Sequence, residues 1–349
     1  MLHKANTLLR HARESHGWTQ AELAERIECP SSVAISRWEN GSVVPGLHYQ
    51  SKLCKLFQKT PYELGFLPHE EAEENHTYLG PFLPKSVFFY KVPLPYPEEL
   101  YGRMREKQRL VTRTFNKGST SITGPRRIGK TWLAHYSRFA ILDQFGSSFR
   151  FGYLDAMSPK CWTVQGFTAE ALRVLGLASS SAHPELSALT DGLQTLYDQK
   201  LTPVLCIDEF ESFGDNQAFT PSFFSGLRAM TQMQDLVLII ISRDNLRSIV
   251  GQNARGSGFF NIFEEIRLKK FTRFETDQFI QTKGQAAGFT PQECDYLWRY
   301  GRENSHEEAW VPQRLQFAGQ TLLDDLHQVR LNSHYQSVFE EHIKAEFGE

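Results

Sequence analysis

STSITGPRRIGKT, residues 119–131, is the stretch that decides the fold of most of this chain. Its first five residues, Ser119–Thr123, predict a short buried strand. A helix is predicted over Thr131–Leu142, beginning at the last residue of the stretch. Between them lies a complete G-x-x-x-x-G-K-[S/T] pattern. A glycine-rich turn between a strand and a helix directs its backbone N–H groups and the helix N-terminus to one spot, which is the geometry that a phosphate group requires.

The side chains of this loop predict ATP and Mg²⁺ as the cofactors. The Lys130 ammonium would reach the β- and γ-phosphates, and the Thr131 hydroxyl would bind Mg²⁺. The adjacent Arg126 and Arg127 would contact phosphate or a neighbouring subunit. The residues predicted to surround the nucleotide here are Gly124, Pro125, Arg126, Arg127, Ile128, Gly129, Lys130 and Thr131. The alternative is a glycine-rich turn beside an exposed lysine.

A second apolar strand, Pro203–Asp208, ends in two acidic residues. Asp208 lies 84 residues after Gly124, which leaves room for an intervening strand and helices. Asp208 would hold Mg²⁺, directly or through water, and Glu209 would act as general base toward the attacking water. An apolar strand that ends in Asp-Glu is weak evidence by itself. Together with the loop at 124–131 it favours an ATPase over a nucleotide-binding scaffold that does not hydrolyse ATP.

A third strand, Leu236–Ile241, is followed by Ser242 and Arg243. In this position Ser242 would sense the γ-phosphate, and Arg243 would stabilise its developing charge. An ordinary salt-bridging arginine at a strand end is the alternative for Arg243.

The order of elements from about residue 98 onward predicts an α/β core. Short apolar strands alternate with helices, which is typical of a parallel sheet buried on both faces. The strand candidates are Ser119–Thr123, Phe149–Asp155, Pro203–Asp208 and Leu236–Ser242. After Phe271 the pattern is helical, with a capping box at Thr272 and Glu275 and a helix end at Gly288. The fold class is therefore multidomain, with an all-α head, an α/β P-loop NTPase core and an α-helical lid.

The head, residues 1–67, has the pattern of several short helices. Thr19 and Glu22 form a capping box at the start of one helix. The next helix is predicted over Ser31–Glu39 and ends at Asn40-Gly41. Trp38 is expected to pack in the core of the head.

Over residues 5–67 this pattern resembles the lambda-repressor/Cro-like (XRE) helix-turn-helix family, with Glu28 where its turn glycine usually stands. The resemblance implies that the second of these helices enters the major groove of double-stranded DNA. Gln20 would then touch a phosphate, and Arg37 would read guanine. The residues implied to contact DNA are Gln20, Ser31, Ser32, Val33, Ser36 and Arg37. The alternative is a helical protein-interaction module of the same fold.

The charge of the head limits how it would bind DNA. Eight Lys and Arg residues stand against six Glu residues in 1–67, a net charge of +2. Because neutralisation of phosphates carries much of the affinity for DNA, a monomer should bind weakly. Specific binding would then need a homo-oligomer.

Several segments of the remaining chain resemble archaeal-type and STAND ATPases, relatives of AAA+ proteins. Gly102 and Arg103 resemble a Gly-Arg-x-x-Glu helix start that lies near the adenine, and the resemblance implies that both contact the nucleotide. The run Asn261–Leu268 resembles the segment that joins core to lid. Trp310–Gly319 resembles the lid helix of that group, with Val311 where a histidine would stand. Relatives often carry a C-terminal sensor array, for which too few residues follow Arg330.

These patterns predict four segments with different roles. They are a helix-turn-helix domain at 1–67, a Pro-rich linker at 68–97, a P-loop ATPase core at 98–268, and a lid with a C-terminal helix at 269–349. Aromatic residues in the linker, Phe88 among them, suggest that part of it packs against a neighbouring domain. Sensing of a signal would fall to the linker, the lid or a separate partner protein.

Composition sets the class of protein. The chain of 349 residues is 40% hydrophobic and 22% charged, which excludes a mostly disordered chain. No apolar run is long enough to span a bilayer, and no signal peptide opens the sequence. Five scattered cysteines lack metal-ligand spacing. We therefore expect a cytoplasmic protein with reduced thiols and no membrane partner.

The sequence therefore predicts a DNA-binding, Mg²⁺-ATP-dependent regulator of transcription or signalling. One alternative is an ATP-dependent multimer that assembles on DNA for transposition or defence. The other is a non-hydrolysing nucleotide-binding scaffold whose head binds proteins.

Overall fold

The computed structural model of the protein divides into two compact units, residues 1–83 and 84–349. The residues that the structure describes are 6–27, 29, 31–41, 43, 45, 47–57, 59, 64–66, 87–178, 183–214, 216–233, 235–249, 258–304, 306–326 and 335–348. Glu28 and most of the predicted linker lie outside them.

The first unit is helical, and its helices are α1 (Thr7–Ser15), α2 (Gln20–Arg26), α3 (Ser32–Glu39) and α4 (Leu47–Phe57). Both halves of the capping box between Thr19 and Glu22 are present, as predicted. Asn40 caps the end of α3, and Gly41 follows with a φ of 70°. Each helix contributes a fully buried large aliphatic residue to the core, and Trp38 is 6% exposed, as expected. These four residues are Leu9, Leu23, Ile35 and Leu53.

The second unit contains a five-stranded parallel sheet with the strand order β2-β3-β4-β1-β5. The strands are β1 (Thr120–Thr123), β2 (Phe149–Asp155), β3 (Thr202–Asp208), β4 (Val237–Ser242) and β5 (Glu264–Arg267). The helices among them are α5 (Met104–Phe115), α6 (Lys130–Phe145), α7 (Val164–Val174), α8 (Leu186–Asp198), α9 (Glu211–Gly214), α10 (Pro221–Met233) and α11 (Leu246–Ile249). The α/β class and the parallel sheet are confirmed.

Apolar layers cover both faces of this sheet, as its uninterrupted apolar strands predict. One layer includes Leu110 and Leu133 from α5 and α6, and the other includes Leu172 and Phe224 from α7 and α10. Every residue of β3 and of β4 is buried.

Four strands lie where the sequence places them, to within one residue at their starts, and one was missed. β5 falls in the run Asn261–Leu268, for which the sequence indicates only a connection to the lid. Of its four residues only Ile266 is buried. An edge strand with one apolar side chain carries almost no period-two pattern, so the sequence could not show it.

Parallel pairing brings the functional strand ends to one edge of the sheet. Thr123 pairs with Ser242, and Asp155 pairs with Asp208. Because carboxyl ends of parallel strands share an edge, the loop after β1 and the acids after β3 face the same crevice.

The segment predicted as the lid includes, among its described residues, the helices α12 (Arg273–Ala287), α13 (Pro291–Tyr300), α14 (Pro312–Asp324) and α15 (Tyr335–Phe347). The capping box at Thr272 and Glu275 and the left-handed Gly288 after α12 are confirmed. Phe88, from the predicted linker, is 1% exposed in the lid core. At Gly319 a Cβ would lie 2.1 Å from its ring, so only glycine fits there.

Candidate nucleotide site and helix-turn-helix face

The loop between β1 and α6 has the backbone shape of a phosphate cradle. Gly124 has a φ of +143°, and a Cβ there would lie 2.6 Å from the Leu268 carbonyl oxygen. Gly129 precedes α6 with a φ of +93° and brings no side chain to cap the helix. The first N–H groups of α6 are therefore free of a side-chain cap and suit an anion.

Lys130 lies over this loop. Its ammonium donates hydrogen bonds to the carbonyl oxygens of Gly124 and Pro125, at 2.7 and 2.8 Å. Burial lowers the pKa of Lys130, and the nearby carboxylates of Glu209 and Asp208 oppose that shift. A partly desolvated ammonium at this loop is suited to bind phosphate oxygens.

The structure joins the two predicted magnesium ligands directly. The Thr131 hydroxyl donates to Oδ2 of Asp208 at 2.7 Å, and the Glu209 N–H donates to Oδ1 at 2.9 Å. Asp208 is 7% exposed. A hydroxyl that donates to a carboxylate keeps its lone pairs available, and hydroxyl and carboxylate oxygens are what Mg²⁺ prefers. These residues fit the ion.

No cluster of three or more His, Cys, Asp or Glu side chains suited to a metal occurs in the described part of the chain.

The surroundings of the Glu209 carboxylate raise its pKa. Burial raises its pKa, and the negative charges of Glu211 and Asp208 raise it further. Its φ of +50° is in the left-handed region, which is unfavourable for a residue with a side chain. Backbone strain and a raised carboxylate pKa are both typical of functional positions.

Arg243 and Ser242 have partners of their own. The Arg243 Nε donates to Oε1 of Glu211 at 2.7 Å, and the Ser242 hydroxyl donates to the Asp244 carbonyl at 2.7 Å. Burial acts to raise the pKa of Glu211, but hydrogen bonds, first among them that from Arg243, lower it on balance. Glu211 was not singled out from sequence, although it continues the acidic run after β3. The roles of Ser242 and Arg243 toward phosphate stay predictions.

Gly102 and Arg103 connect the loop to the lid. A Cβ on Gly102 would lie 2.5 Å from a carboxylate oxygen of Glu275. The buried Arg103 guanidinium donates to the carbonyls of Ile128 and Lys269. Burial lowers the pKa of Arg103. Contact of these two residues with the nucleotide stays a prediction.

The two loop arginines differ in their surroundings. Arg126 and Arg127 are both exposed. The Arg127 guanidinium lies 4.6 Å from the centre of the Phe347 ring, at the end of α15, and Arg314 of α14 lies at the same distance. The N–H of Gln313 donates to the Arg127 carbonyl at 3.4 Å. The phosphate loop is thus in contact with two lid helices, which the sequence did not indicate.

The predicted DNA-contacting residues lie on α2, α3 and the cap of α3. Ser31, Ser32, Val33 and Arg37 are exposed, and Ser36 is half-buried. The Ser31 hydroxyl caps α3 by accepting from the Val33 N–H at 3.2 Å.

Gln20 is held by an acidic residue inside the head. Its side-chain amide donates to the fully buried Glu39 at 2.8 Å. Glu39 also accepts from Nε of Arg13 at 2.7 Å, which forms a buried ion pair. The predicted phosphate contact of Gln20 would therefore have to coexist with this bond.

Family models match both units. A helix-turn-helix domain model matches residues 7–64, and an AAA domain model matches residues 112–250. No curated protein matches the chain.

Solved structures resemble the chain at low identity. The ADP form of the Aeropyrum pernix ORC2 protein is 15% identical, with a TM-score of 0.59 over 76% of this chain and 73% of that one. The ADPNP–ADP form of ORC2 is 16% identical, with a TM-score of 0.57 over 71% and 68%. The Walker-type ATPase PABY2304 of Pyrococcus abyssi is 13% identical, with a TM-score of 0.53 over 67% and 71%. These likenesses show the fold alone.

The chain thus combines an N-terminal helix-turn-helix domain with an AAA-like α/β domain that carries the phosphate-loop motif. Its solved structural neighbours have the ORC2 and Walker-type ATPase fold. Among the described residues, no helix combines the length and apolarity needed to cross a membrane.

Proposed function

We propose that the protein is a DNA-binding, Mg²⁺-ATP-dependent P-loop ATPase that acts as a nucleotide-controlled regulator. The observation that carries the proposal is the 2.7 Å hydrogen bond from Thr131 to Asp208, which joins the phosphate loop to the acidic strand end beside Glu209. In P-loop hydrolases the residues at these two places hold Mg²⁺ at the phosphates.

Bound Mg²⁺-ATP would supply the phosphoryl group and the charge that neutralises its oxygens. Lys130 would bind β- and γ-phosphate oxygens, while Thr131 and Asp208 would hold the ion. Glu209 would orient a water molecule and accept its proton as the bond to the ADP leaving group breaks. Arg243 would have to leave Glu211 before it could stabilise charge on the γ-phosphate.

The head would bind double-stranded DNA with α3 in the major groove. Support comes from the exposure of Val33 and Arg37 on one face of that helix, and from the match to a helix-turn-helix domain model. The Arg37 guanidinium would read guanine, and Val33 would contact the base edges. A net charge of +2 on 1–67 favours a homo-oligomer that binds through several heads.

The finer assignments belong to the same proposal. An XRE-type head is supported by the capping box at Thr19 and the helix end at Asn40. A STAND-type core is supported by the Gly102-Arg103 turn and the Pro312 lid helix. In this proposal the protein lies in the cytoplasm and acts on transcription, and a separate sensor or effector protein is a further partner.

A second candidate function is an ATP-dependent multimer that assembles on DNA for transposition or defence. The low charge of the head favours it, because weak single heads gain most from assembly. Its test is the molecular mass with and without ATP. A mass that increases with ATP would support it, and an ATP-independent monomer would contradict it.

The nucleotide site is tested with Lys130→Ala. We expect the variant to lose binding of Mg²⁺-ATP by at least about 100-fold, because the phosphate charge loses its fixed counter-ion. Lys117→Ala is the matched control, since Lys117 is a surface lysine paired with Asp235. Unchanged binding in Lys130→Ala would contradict the site assignment.

A further inference from the structure

Tyr153 lies next to the candidate magnesium ligand, although nothing in its sequence context marks it. It is the third residue from the end of β2, the edge strand beside β3, and it pairs with Cys206. Its half-buried ring packs among the apolar side chains of one sheet face. Its hydroxyl donates to Oδ2 of Asp208 at 2.7 Å.

Asp208 thereby receives three donors on two oxygens. Thr131 and Tyr153 both donate to Oδ2 at 2.7 Å, and the Glu209 N–H donates to Oδ1 at 2.9 Å. The carboxylate of an aspartate otherwise rotates in a broad torsional well. Donors from α6, from β2 and from the adjacent Glu209 backbone fix the plane of the Asp208 carboxylate. They thereby fix the direction of the lone pairs that remain for a cation.

The Tyr153 ring is itself held by α6. The His135 ring stacks on it with centroids 5.0 Å apart and planes at 28°. His135 follows Thr131 by four residues, so both lie on one face of α6. These contacts form a closed circuit. Thr131 connects α6 to Asp208, Asp208 contacts Tyr153, and His135 connects Tyr153 back to α6.

We propose that Tyr153 is a positioning residue of the magnesium site, one that holds the Asp208 carboxylate in the orientation that binds the ion. The inference rests on the proposed function, because it assigns a role within the same site. Groups that orient a metal ligand by hydrogen bonds affect metal affinity although they do not touch the metal. The competing explanation is structural, since a partly buried hydroxyl needs some acceptor wherever it lies.

Tyr153→Phe separates the two explanations, because it removes only the hydroxyl and keeps the ring and its stacking. The measurement is a Mg²⁺ titration of the full-length protein with a fluorescent, non-hydrolysable ATP analogue, with a parallel binding curve in EDTA. We expect the Mg²⁺ concentration at half-saturation to rise about 10-fold or more. Binding in EDTA should stay within about twofold of wild type, because the phosphate loop is untouched.

Tyr136→Phe is the matched control. Tyr136 packs against the same sheet face from α6, and its ring lies 4.8 Å from the Lys107 ammonium. Loss of its hydroxyl should leave the Mg²⁺ titration unchanged, since its ring faces a lysine on α5.

The outcomes distinguish this inference from the proposed function. If wild type shows Mg²⁺-dependent binding and Tyr153→Phe titrates at the same Mg²⁺ concentration, the inference is overturned and the proposed function stands. An equal loss of binding with Mg²⁺ and in EDTA would show a structural role and overturn it as well. If wild type itself shows no Mg²⁺-dependent binding, both fail.

Discussion

Asp208 is the residue on which the nucleotide site converges. Thr131, Tyr153 and the Glu209 N–H all donate to its carboxylate. The charge of Asp208 also opposes the fall in the pKa of Lys130 that burial causes. A single side chain thus links the phosphate loop, the edge strand and the candidate base.

Glu209→Gln tests whether Glu209 is the base. The change keeps the shape of the side chain and removes its ability to accept a proton. We expect ATP hydrolysis to fall by at least about 100-fold while ATP binding is retained. Phosphate release and analogue binding measure the two effects separately. Turnover equal to that of wild type would remove Glu209 as the base.

The same variant should change stability with pH. Because folding raises the pKa of Glu209 above its ordinary value of 4.5, ionisation of this side chain opposes the fold. The stabilisation by the neutral carboxyl is present below the ordinary pKa and is lost as the pH rises through the raised one. We therefore expect the nucleotide-free Glu209→Gln variant to melt above wild type at about pH 7.5, with a gap that closes in acid. A gap independent of pH would contradict the raised pKa.

Arg37→Ala is the prediction for the head. If Arg37 reads guanine, its loss should weaken specific DNA binding by about 1–3 kcal/mol and relax the base preference at one position. Selection of binding sequences from random DNA measures both. Arg150→Ala removes the same charge from an exposed position on β2 and is the control. An unchanged base preference in Arg37→Ala would contradict the assigned role.

Residues within motifs could be predicted, and residues that the fold brings to them could not. Thr131 is recognisable by its fixed place in the motif after β1, and Asp208 by its place at the end of β3. Tyr153 reaches the site through strand register, which no local pattern encodes. Glu211 lies in the turn after β3, and its only signal in the sequence is that it continues the acidic run. In the sequence, Tyr153 is indistinguishable from the other apolar positions of β2.

At the scale of elements, the end of α15 contacts several segments of the second unit, residues 84–349. Phe347 at its end contacts the guanidinium groups of Arg127 and Arg314. The neighbouring Glu346 forms an ion pair with Lys91 at 2.7 Å. The phosphate loop, the lid and the segment at 87–91 therefore meet at one helix end.

We expect Phe347→Ala to destabilise the ATPase unit by about 1–3 kcal/mol, because a half-buried aromatic contact and two cation–π contacts are lost. Val338→Ala, at a 40% exposed position of the same helix, should change stability by less than about 0.5 kcal/mol. Denaturant unfolding followed by circular dichroism measures both. Equal stabilities of the two variants would show that the end of α15 contributes nothing.

Elements with strong periodicity or caps were predictable, and marginal ones were not. The β2 bounds and the capping boxes of α2 and α12 follow from local pattern and backbone chemistry. β5 is stabilised by its ladder to β1, and its sequence alone carries too little apolar pattern. The contacts of α15 depend on where the lid folds, which no single helix specifies.

At the scale of the whole molecule, two compact units lie on one chain. Under the proposed function, one unit binds DNA through a helix face and the other binds Mg²⁺-ATP. A regulator requires that nucleotide in one site changes affinity at the other, and linkage makes that coupling reciprocal.

The measurement that tests this central claim most directly is the dissociation constant for a selected DNA sequence at fixed salt, with and without a Mg²⁺-bound non-hydrolysable ATP analogue. For wild type we predict a change of at least about fivefold, the lower end of ordinary coupling energies. For Lys130→Ala we predict no change. A wild-type protein that binds both ligands, yet shows the same DNA affinity with and without nucleotide, would contradict the account.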